Sequence, residues 1–160
     1  MPKIRNSRSI ELKRHESPVP EYVWESSSNL ADDDGLKRLA SNIRVLPPGK
    51  VSYPYHFHHG AEEIFVILSG EGLLRTPGET RRVVQGDVIH FQTGPSGAHQ
   101  LKNTGEENLT FLDIRTATVP DVCEYPDSGK INILPNQDIF YRGSSAGYFD
   151  GEEVCRFPEK

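Results

Sequence analysis

Three histidines lie within four residues near the middle of this 160-residue chain, in the segment His56–Phe57–His58–His59. On an extended strand alternate side chains share a face, so His56 and His58 project together while His59 points the other way. Two imidazoles side by side on a half-buried strand are costly unless something uses them, and neutral imidazole is a good ligand for zinc, iron, nickel and copper. The spacing therefore predicts a metal site.

Two further residues could complete that site. Glu63 leads into the apolar run Ile64–Leu68, where a carboxylate that faces inward needs a compensating charge. His99 follows the turn 94–97 and opens another strand, which antiparallel pairing across a small barrel would bring beside the first two histidines. His59 is a substitute ligand if the strand register slips.

Short strands are the elements that must hold these residues. The chain has 14 glycines and 12 prolines, and nine of the glycines lie between residues 49 and 105, where they separate short apolar runs. Eight runs read as strands: Ile43–Leu46, Val51–His58, Glu63–Leu68, Gly72–Thr76, Arg81–Gln85, Asp87–Gln92, Ala98–Asn103 and Leu109–Thr118. This pattern predicts an all-β fold, an antiparallel sandwich or barrel, and does not decide between the two.

The regions on either side of these strands differ from them in composition. Asp32–Asp34 favours a helix N-terminus, and Leu36, Leu39 and Ala40 recur at helical spacing, which predicts one short helix. We therefore divide the chain into an N-terminal extension over residues 1–42, a barrel over 43–120 and a C-terminal extension over 121–160 that packs on the barrel.

Composition argues against several classes of protein. No run approaches the roughly 20 apolar residues of a membrane span, and no apolar stretch follows the basic residues at the start, so secretion is not indicated. Cys123 and Cys155 are too few and too far apart for a disulfide scaffold, and we interpret both as reduced, buried thiols. A net charge of −5 disfavours nucleic acid. We expect a cytoplasmic protein without a nucleic-acid or membrane partner.

Two motifs resemble those of the cupin superfamily. The first is Gly49 … His56-x-His58-x4-Glu63-x6-Gly70, and the second is Gly86–Asp87 … Pro95-x-Gly97-x-His99-x3-Asn103. Two of the spacings are longer than in the family pattern and one is shorter. The resemblance covers residues 43–118 and implies a double-stranded β-helix, a jelly-roll-like antiparallel barrel. It also implies one divalent metal, bound by His56, His58, Glu63 and His99.

A segment beyond the barrel carries a second resemblance. Residues 122–130 are similar to a stretch found in some single-domain cupins, a poorly characterised group sometimes labelled sugar-phosphate isomerase-like. The resemblance implies a metal-dependent enzyme that acts on a small polar molecule, sugar- or acid-like, by Lewis-acid chemistry such as isomerisation. The metal would be Zn, Mn, Ni or Fe.

The reaction itself stays open at this point. Isomerisation needs a general base near the metal, for which His90, in the strand Val88–Phe91, and Glu63 are candidates. A dioxygenase would need Fe(II) and no such base, and a cupin that binds a small ligand without turnover is a further alternative. His90 is equally consistent with a hydrogen-bonded core histidine.

The strand after Glu63 bears on assembly. If Glu63, Phe65 and Ile67 face the interior, then Ile64 and Val66 belong to an outer face that is also apolar. A sheet that is apolar on both sides must be covered on both. We expect the extensions and a second subunit to provide that cover, which makes the protein a homodimer.

Overall fold

The computed structural model describes residues 1–143, 146–148 and 150, and these residues form thirteen strands and one helix. The elements are β1 (Lys13–Glu16), β2 (Val23–Ser26), α1 (Leu30–Asp33), β3 (Leu39–Leu46), β4 (Phe57–His58), β5 (Glu63–Ser69), β6 (Glu71–Thr76), β7 (Glu79–Val84), β8 (Val88–Phe91), β9 (Gln100–Asn103), β10 (Leu109–Thr116), β11 (Asp121–Tyr125), β12 (Lys130–Leu134) and β13 (Asp138–Tyr141). Short 3-10 turns lie at Ser7–Ser9 and Pro95–Gly97.

All strands pair antiparallel, in three sheets. Six strands form the largest sheet in the order β1-β2-β3-β10-β5-β8, and the two smaller sheets have the orders β7-β6-β9 and β13-β12-β11-β4. The predicted all-β fold is confirmed, and the arrangement is that of an antiparallel β-sandwich of the double-stranded β-helix type.

The main core lies between the largest sheet and the three-stranded sheet. Phe65, Phe111 and Leu46 come from the former and meet Leu101 and Leu74 from the latter, all within one cluster of buried side chains. Alternate residues of β5 are buried, as expected of a strand with one face on the core. Full burial of each large apolar side chain contributes roughly 1.5–3 kcal/mol.

The predicted elements before the barrel need correction. The helix is a single turn at Leu30–Asp33, capped by the side chain of Asn29, whereas Leu39 and Ala40 already belong to β3. Leu36 is 53% exposed, so its spacing from Leu39 does not mark a buried helix face. Strands β1 and β2 were not predicted, because they carry few consecutive apolar residues.

The predicted strand Val51–His58 is also shorter than expected. Only Phe57–His58 is a strand, while Val51 and His56 form isolated bridges to Lys102 and His99. Pro54 interrupts the segment and cannot donate a backbone hydrogen bond. In the described part of the chain no helix has the length and apolar character needed to cross a membrane.

Candidate metal centre

The backbone around β4 brings three histidines together. His56 and His99 exchange both backbone hydrogen bonds, at 3.2 and 2.9 Å, so the two residues lie directly opposite each other. His58 follows two residues later on the same face, and its ring centroid is 5.3 Å from that of His56. The rings of His56 and His99 are 4.7 Å apart. The predicted same-face arrangement of His56 and His58 is present, and His99 joins it from the strand opposite.

Glu63, the first residue of β5, adds a carboxylate to the three imidazoles. Its Oε2 lies 3.2 Å from Nε2 of His99 and 3.7 Å from Nε2 of His58. Glu63 is 6% exposed and His99 is 1% exposed, so the group is shielded from solvent. Ligand atoms of His56, His58 and Glu63 all lie within 4.8 Å of one another, and His99 joins this set through its contact with Glu63.

Hydrogen bonds orient two of the three imidazoles as metal ligands. Nδ1 of His56 lies 2.9 Å from the carbonyl oxygen of Pro54, and Nδ1 of His99 lies 2.9 Å from that of Gly97. A carbonyl oxygen only accepts, so each Nδ1 carries the proton and each Nε2 of the neutral ring keeps its lone pair. Those lone pairs are what a metal ion binds.

Two buried atoms of the cluster test whether a metal ion fits there. Oε2 of Glu63 and Nε2 of His99 lie 3.2 Å apart, and beyond this mutual contact neither atom has a hydrogen-bond partner among the described residues. A buried polar atom without a partner costs roughly 1–3 kcal/mol, so such atoms need an explanation. A divalent cation bound between them would satisfy both. Imidazole nitrogens with one carboxylate suit Zn, Fe, Ni or Mn, and the residues present therefore fit the expected ion.

Electrostatics within the cluster favour the same conclusion. Burial and the neighbouring His99 lower the pKa of His56 to about 3, so this ring stays neutral. Burial alone would raise the pKa of Glu63, but His99 and His58 hold it well below its usual range. In turn the Glu63 carboxylate raises the pKa of His99 in spite of burial. Glu63 is thus held as a carboxylate, which attracts a cation.

A second buried network lies beside Glu63. Nε of Arg44 donates to Oδ2 of Asp113 at 2.6 Å, and Arg44 also donates to the hydroxyl of Tyr53. Burial and the adjacent Glu63 carboxylate raise the pKa of Asp113 to about 7, because two carboxyls that close resist double ionisation. Asp113 was not among the predicted site residues.

These groups surround one cavity of about 220 Å³. Its lining combines three of the four metal-binding residues, the Arg44 network and side chains from the last sheet: Arg44, Tyr53, Pro54, His56, His58, Glu63, Phe65, Asp113, Arg115, Cys123, Tyr125, Asn132 and Leu134. The polar side chains greatly outnumber the apolar ones. The cavity is therefore suited to a small polar molecule next to the metal position.

Comparison with known proteins identifies the family. Residues 42–115 match the cupin domain family. This chain carries a cupin domain. The matched range contains all four predicted ligands and ends before β11, so the cupin domain contributes the metal-binding residues and the following strands contribute part of the cavity wall.

Several known proteins are similar to this cupin. An oxalate-binding protein of Thermotoga maritima is 41% identical, over 48% of this chain and 60% of its own length. A glucose-6-phosphate isomerase of Pyrococcus horikoshii is 34% identical, over 67% of this chain and 60% of its own. The chain thus spans about 60% of the length of these two relatives. A solved structure of a proposed sugar phosphate isomerase from Acidithiobacillus ferrooxidans superposes with a TM-score of 0.77 at 27% identity, covering 88% of this chain and 90% of that one.

Two predicted histidines lie outside the metal cluster of the cupin domain. His59 points away, as its alternation with His58 indicates, and its Nε2 lies 3.1 Å from Oε2 of Glu124. His90 is exposed on β8, opposite Ile64, and does not line the cavity. Ile64 faces away from Glu63, so the alternation along β5 turns His90 outward as well. The structure does not bring His90 to the proposed site.

Other residues of the site were missed because they come from distant strands. Asp121, at the start of β11, places Oδ2 2.5 Å from Nδ1 of His58 and fixes that ring as Pro54 and Gly97 fix the other two. Asp121 is 3% exposed. Its only sequence signal is an acidic residue at the head of an apolar strand, the same signal that marked Glu63.

Cys123 is buried, as predicted, whereas Cys155 lies outside the described residues. The Cys123 thiol is 3.2 Å from Nδ1 of His58, and with Asp121 these residues form a second group of metal-binding types. Burial raises the pKa of Cys123 to about 12, which keeps the thiol protonated. We assign the ion to the histidine–glutamate cluster, because Glu63 and His99 carry the buried atoms that lack any other hydrogen-bond partner among the described residues.

Proposed function

We propose that this cupin holds one divalent transition metal through His56, His58, Glu63 and His99 and isomerises a small polar substrate, sugar- or acid-like. The observation that carries the proposal is the buried pair Oε2 of Glu63 and Nε2 of His99. Beyond their mutual contact these atoms have no hydrogen-bond partner among the described residues, and Glu63 lines the adjacent cavity. Such an arrangement is costly for a structural core and useful for a metal-dependent site.

Different residues of the chain orient the metal ligands and move the proton. A bound divalent ion supplies Lewis acidity toward substrate oxygens. The carbonyl oxygens of Pro54 and Gly97 and the carboxylate of Asp121 keep the three imidazoles in one orientation. Asp113 is our candidate for moving a proton, because its carboxyl lines the cavity beside Glu63 and is held by Arg44. It takes the place that His90 had in the sequence-based hypothesis.

The similar proteins support isomerisation. One relative is named a glucose-6-phosphate isomerase, and the structural neighbour from Acidithiobacillus ferrooxidans is a proposed sugar phosphate isomerase. Interconversion of an aldose and a ketose moves a proton between adjacent carbons of the sugar. A positioned carboxyl close to a Lewis-acid site has the chemistry that such a transfer requires.

The test begins with metal content. We expect about one equivalent of a transition metal in protein purified without a His-tag. The metal-loaded protein is then incubated in D₂O with a panel of sugar phosphates and hydroxy acids, and exchange of carbon-bound protons is followed by NMR. Asp113→Asn should keep the metal and slow the exchange by about 100-fold or more. The proposal would be contradicted if no compound in the panel exchanged its carbon-bound protons. It would also be contradicted if Asp113→Asn exchanged them at the wild-type rate.

Ligand binding without turnover is the second candidate, favoured by the similarity to a protein named for oxalate binding. A metal-loaded protein that binds oxalate but exchanges no proton in any compound would support it. Bound iron together with oxygen consumption would instead support the dioxygenase alternative. The same purified protein therefore distinguishes the three functions.

A further inference from the structure

Arg115 stands out among the charged residues around the cavity because its guanidinium has no partner. It forms no hydrogen bond or ion pair with any described residue. Strand pairing places it directly opposite Glu63, on the face of β10 that also carries Asp113. It lines the cavity and is only partly exposed. The Arg115 guanidinium lies next to the Glu63 carboxylate but does not form an ion pair with it. This guanidinium is therefore available to bind a ligand.

Arg44 shows what a structural arginine looks like in the same cavity. Its guanidinium is bound to Asp113, Ser26 and Tyr53, so its charge and its donors are largely used. A bound divalent ion would offset the charge of Glu63. The charge of Arg115 would then give the cavity an excess of positive charge. Arginine recognises carboxylate and phosphate groups with two parallel hydrogen bonds.

Asn132, on β12, provides an independent observation at the same cavity. The residue is 8% exposed, and its Oδ1 is buried without a hydrogen-bond partner among the described residues. Its Nδ2 is 3.5 Å from the hydroxyl of Tyr125. An amide oxygen accepts hydrogen bonds, so this atom lacks a donor such as a hydroxyl group.

From these two features we infer that the substrate is a small hydroxylated anion, with Arg115 binding its carboxylate or phosphate and Asn132 accepting a hydrogen bond from its hydroxyl. The inference rests on the proposed function, since it names the substrate class of the same cavity. Both residues determine specificity: Arg115 lies at the end of the matched cupin range, and Asn132 lies beyond it on β12.

Calorimetric titration tests the role of Arg115, with malonate and inorganic phosphate as probes. Arg115→Gln should retain its metal and lose about tenfold or more in affinity for whichever anion the wild type binds. Arg115→Lys should recover part of that loss. The matched control is Arg81→Gln, which removes an exposed arginine that pairs with Glu79 and should change nothing.

The two anions separate the two sources of negative charge. Tighter binding of malonate supports a carboxylate ligand, and tighter binding of phosphate supports a phosphate ester. Wild type that binds neither anion at millimolar concentration, or Arg115→Gln that binds as the wild type does, overturns the inference. The titrations are repeated after chelation of the metal. Protein that is purified without metal contradicts the proposed function, while Arg115 is still judged by the effect of Arg115→Gln on anion affinity in the metal-free protein.

Asn132 is tested with two anions that differ by one hydroxyl, tartronate and malonate. Wild type should prefer tartronate, and Asn132→Leu should lose at least part of that preference while keeping its affinity for malonate. If the variant preferred tartronate over malonate as strongly as the wild type does, Asn132 would not be a binding residue for the hydroxyl group. Metal content of the variant, measured in parallel, shows whether the cluster is intact.

Discussion

The carboxylate of Asp121 lies 2.5 Å from Nδ1 of His58, and both residues are buried. This contact joins the strand after the cupin domain to a metal-binding histidine within it. A carboxylate behind an imidazole fixes the tautomer and makes the other nitrogen a better ligand. The strands that follow the domain are thus part of the site, although the family match stops at residue 115.

Asp121→Asn should weaken metal binding without removing it. The amide cannot supply the charge that stabilises the His58 proton, and partners of this kind are worth about 10- to 100-fold in metal affinity. Competition with a chromophoric chelator measures the change. Asp127→Asn, which removes a surface partner of Arg75, is the control. Equal affinity in Asp121→Asn and the wild type would show that the contact does not support the metal.

Alanine substitutions should distinguish the four metal ligands from His59, which does not bind the metal. His56→Ala, His58→Ala, Glu63→Ala and His99→Ala should each reduce the metal content sharply, whereas His59→Ala should not, since its ring contacts Glu124 instead. Elemental analysis of the purified proteins gives the result. Retention of a full equivalent by His56→Ala would refute the assignment.

Gly97→Ala should damage both the fold and the metal site. A Cβ at this position would lie 1.8 Å from the carbonyl oxygen of Gln92, so the backbone must move. Gly97 also accepts the Nδ1 hydrogen bond of His99, and its displacement turns that ring. Urea unfolding should show a loss of about 1–3 kcal/mol with reduced metal affinity.

Gly143→Ala is the control for that substitution, because no atom of the described residues lies within 4 Å of its added Cβ. The two variants replace the same residue type and differ only in their surroundings. Similar unfolding midpoints for both would contradict the packing argument.

Tyr53 should contribute to loss of stability at alkaline pH. Burial outweighs the nearby Arg44 cation and raises the pKa of Tyr53 to about 12. The unfolded chain ionises near pH 10, so the contribution of the neutral phenol is present below about pH 10 and is lost as pH rises toward 12. Urea midpoints across this range should fall less steeply in Tyr53→Phe. Tyr141→Phe, at a residue 67% exposed, is the control.

We also propose that a second copy of the chain covers the outer face of the largest sheet. Ile64, Val66, Leu112 and Ile114 share this face and are only partly buried. Light scattering should give about twice the chain mass of 18.0 kDa, and Val66→Lys should give monomers. Leu73→Lys, on the three-stranded sheet, should remain dimeric. A wild-type species of 18.0 kDa would contradict this proposal.

The sequence determined the parts of the site that depend on local geometry. Alternation along an extended chain is enough to place His56 and His58 on one face and to turn His59 away, and the apolar run after Glu63 marks a strand with a buried carboxylate at its head. The motif order placed His99 in the same group. These inferences need only the period of a strand, which neighbouring residues define.

The tertiary structure decided which distant residues belong to the site. Asp113, Arg115, Asp121 and Asn132 lie on β10, β11 and β12, and strand pairing brings them near β4 and β5. Register between strands separated by about 50 residues is set by packing of the whole core, and a shift of one residue would turn each of these side chains outward. The exposed position of His90 on β8 follows from the same constraint, because its pairing with Ile64 fixes its face.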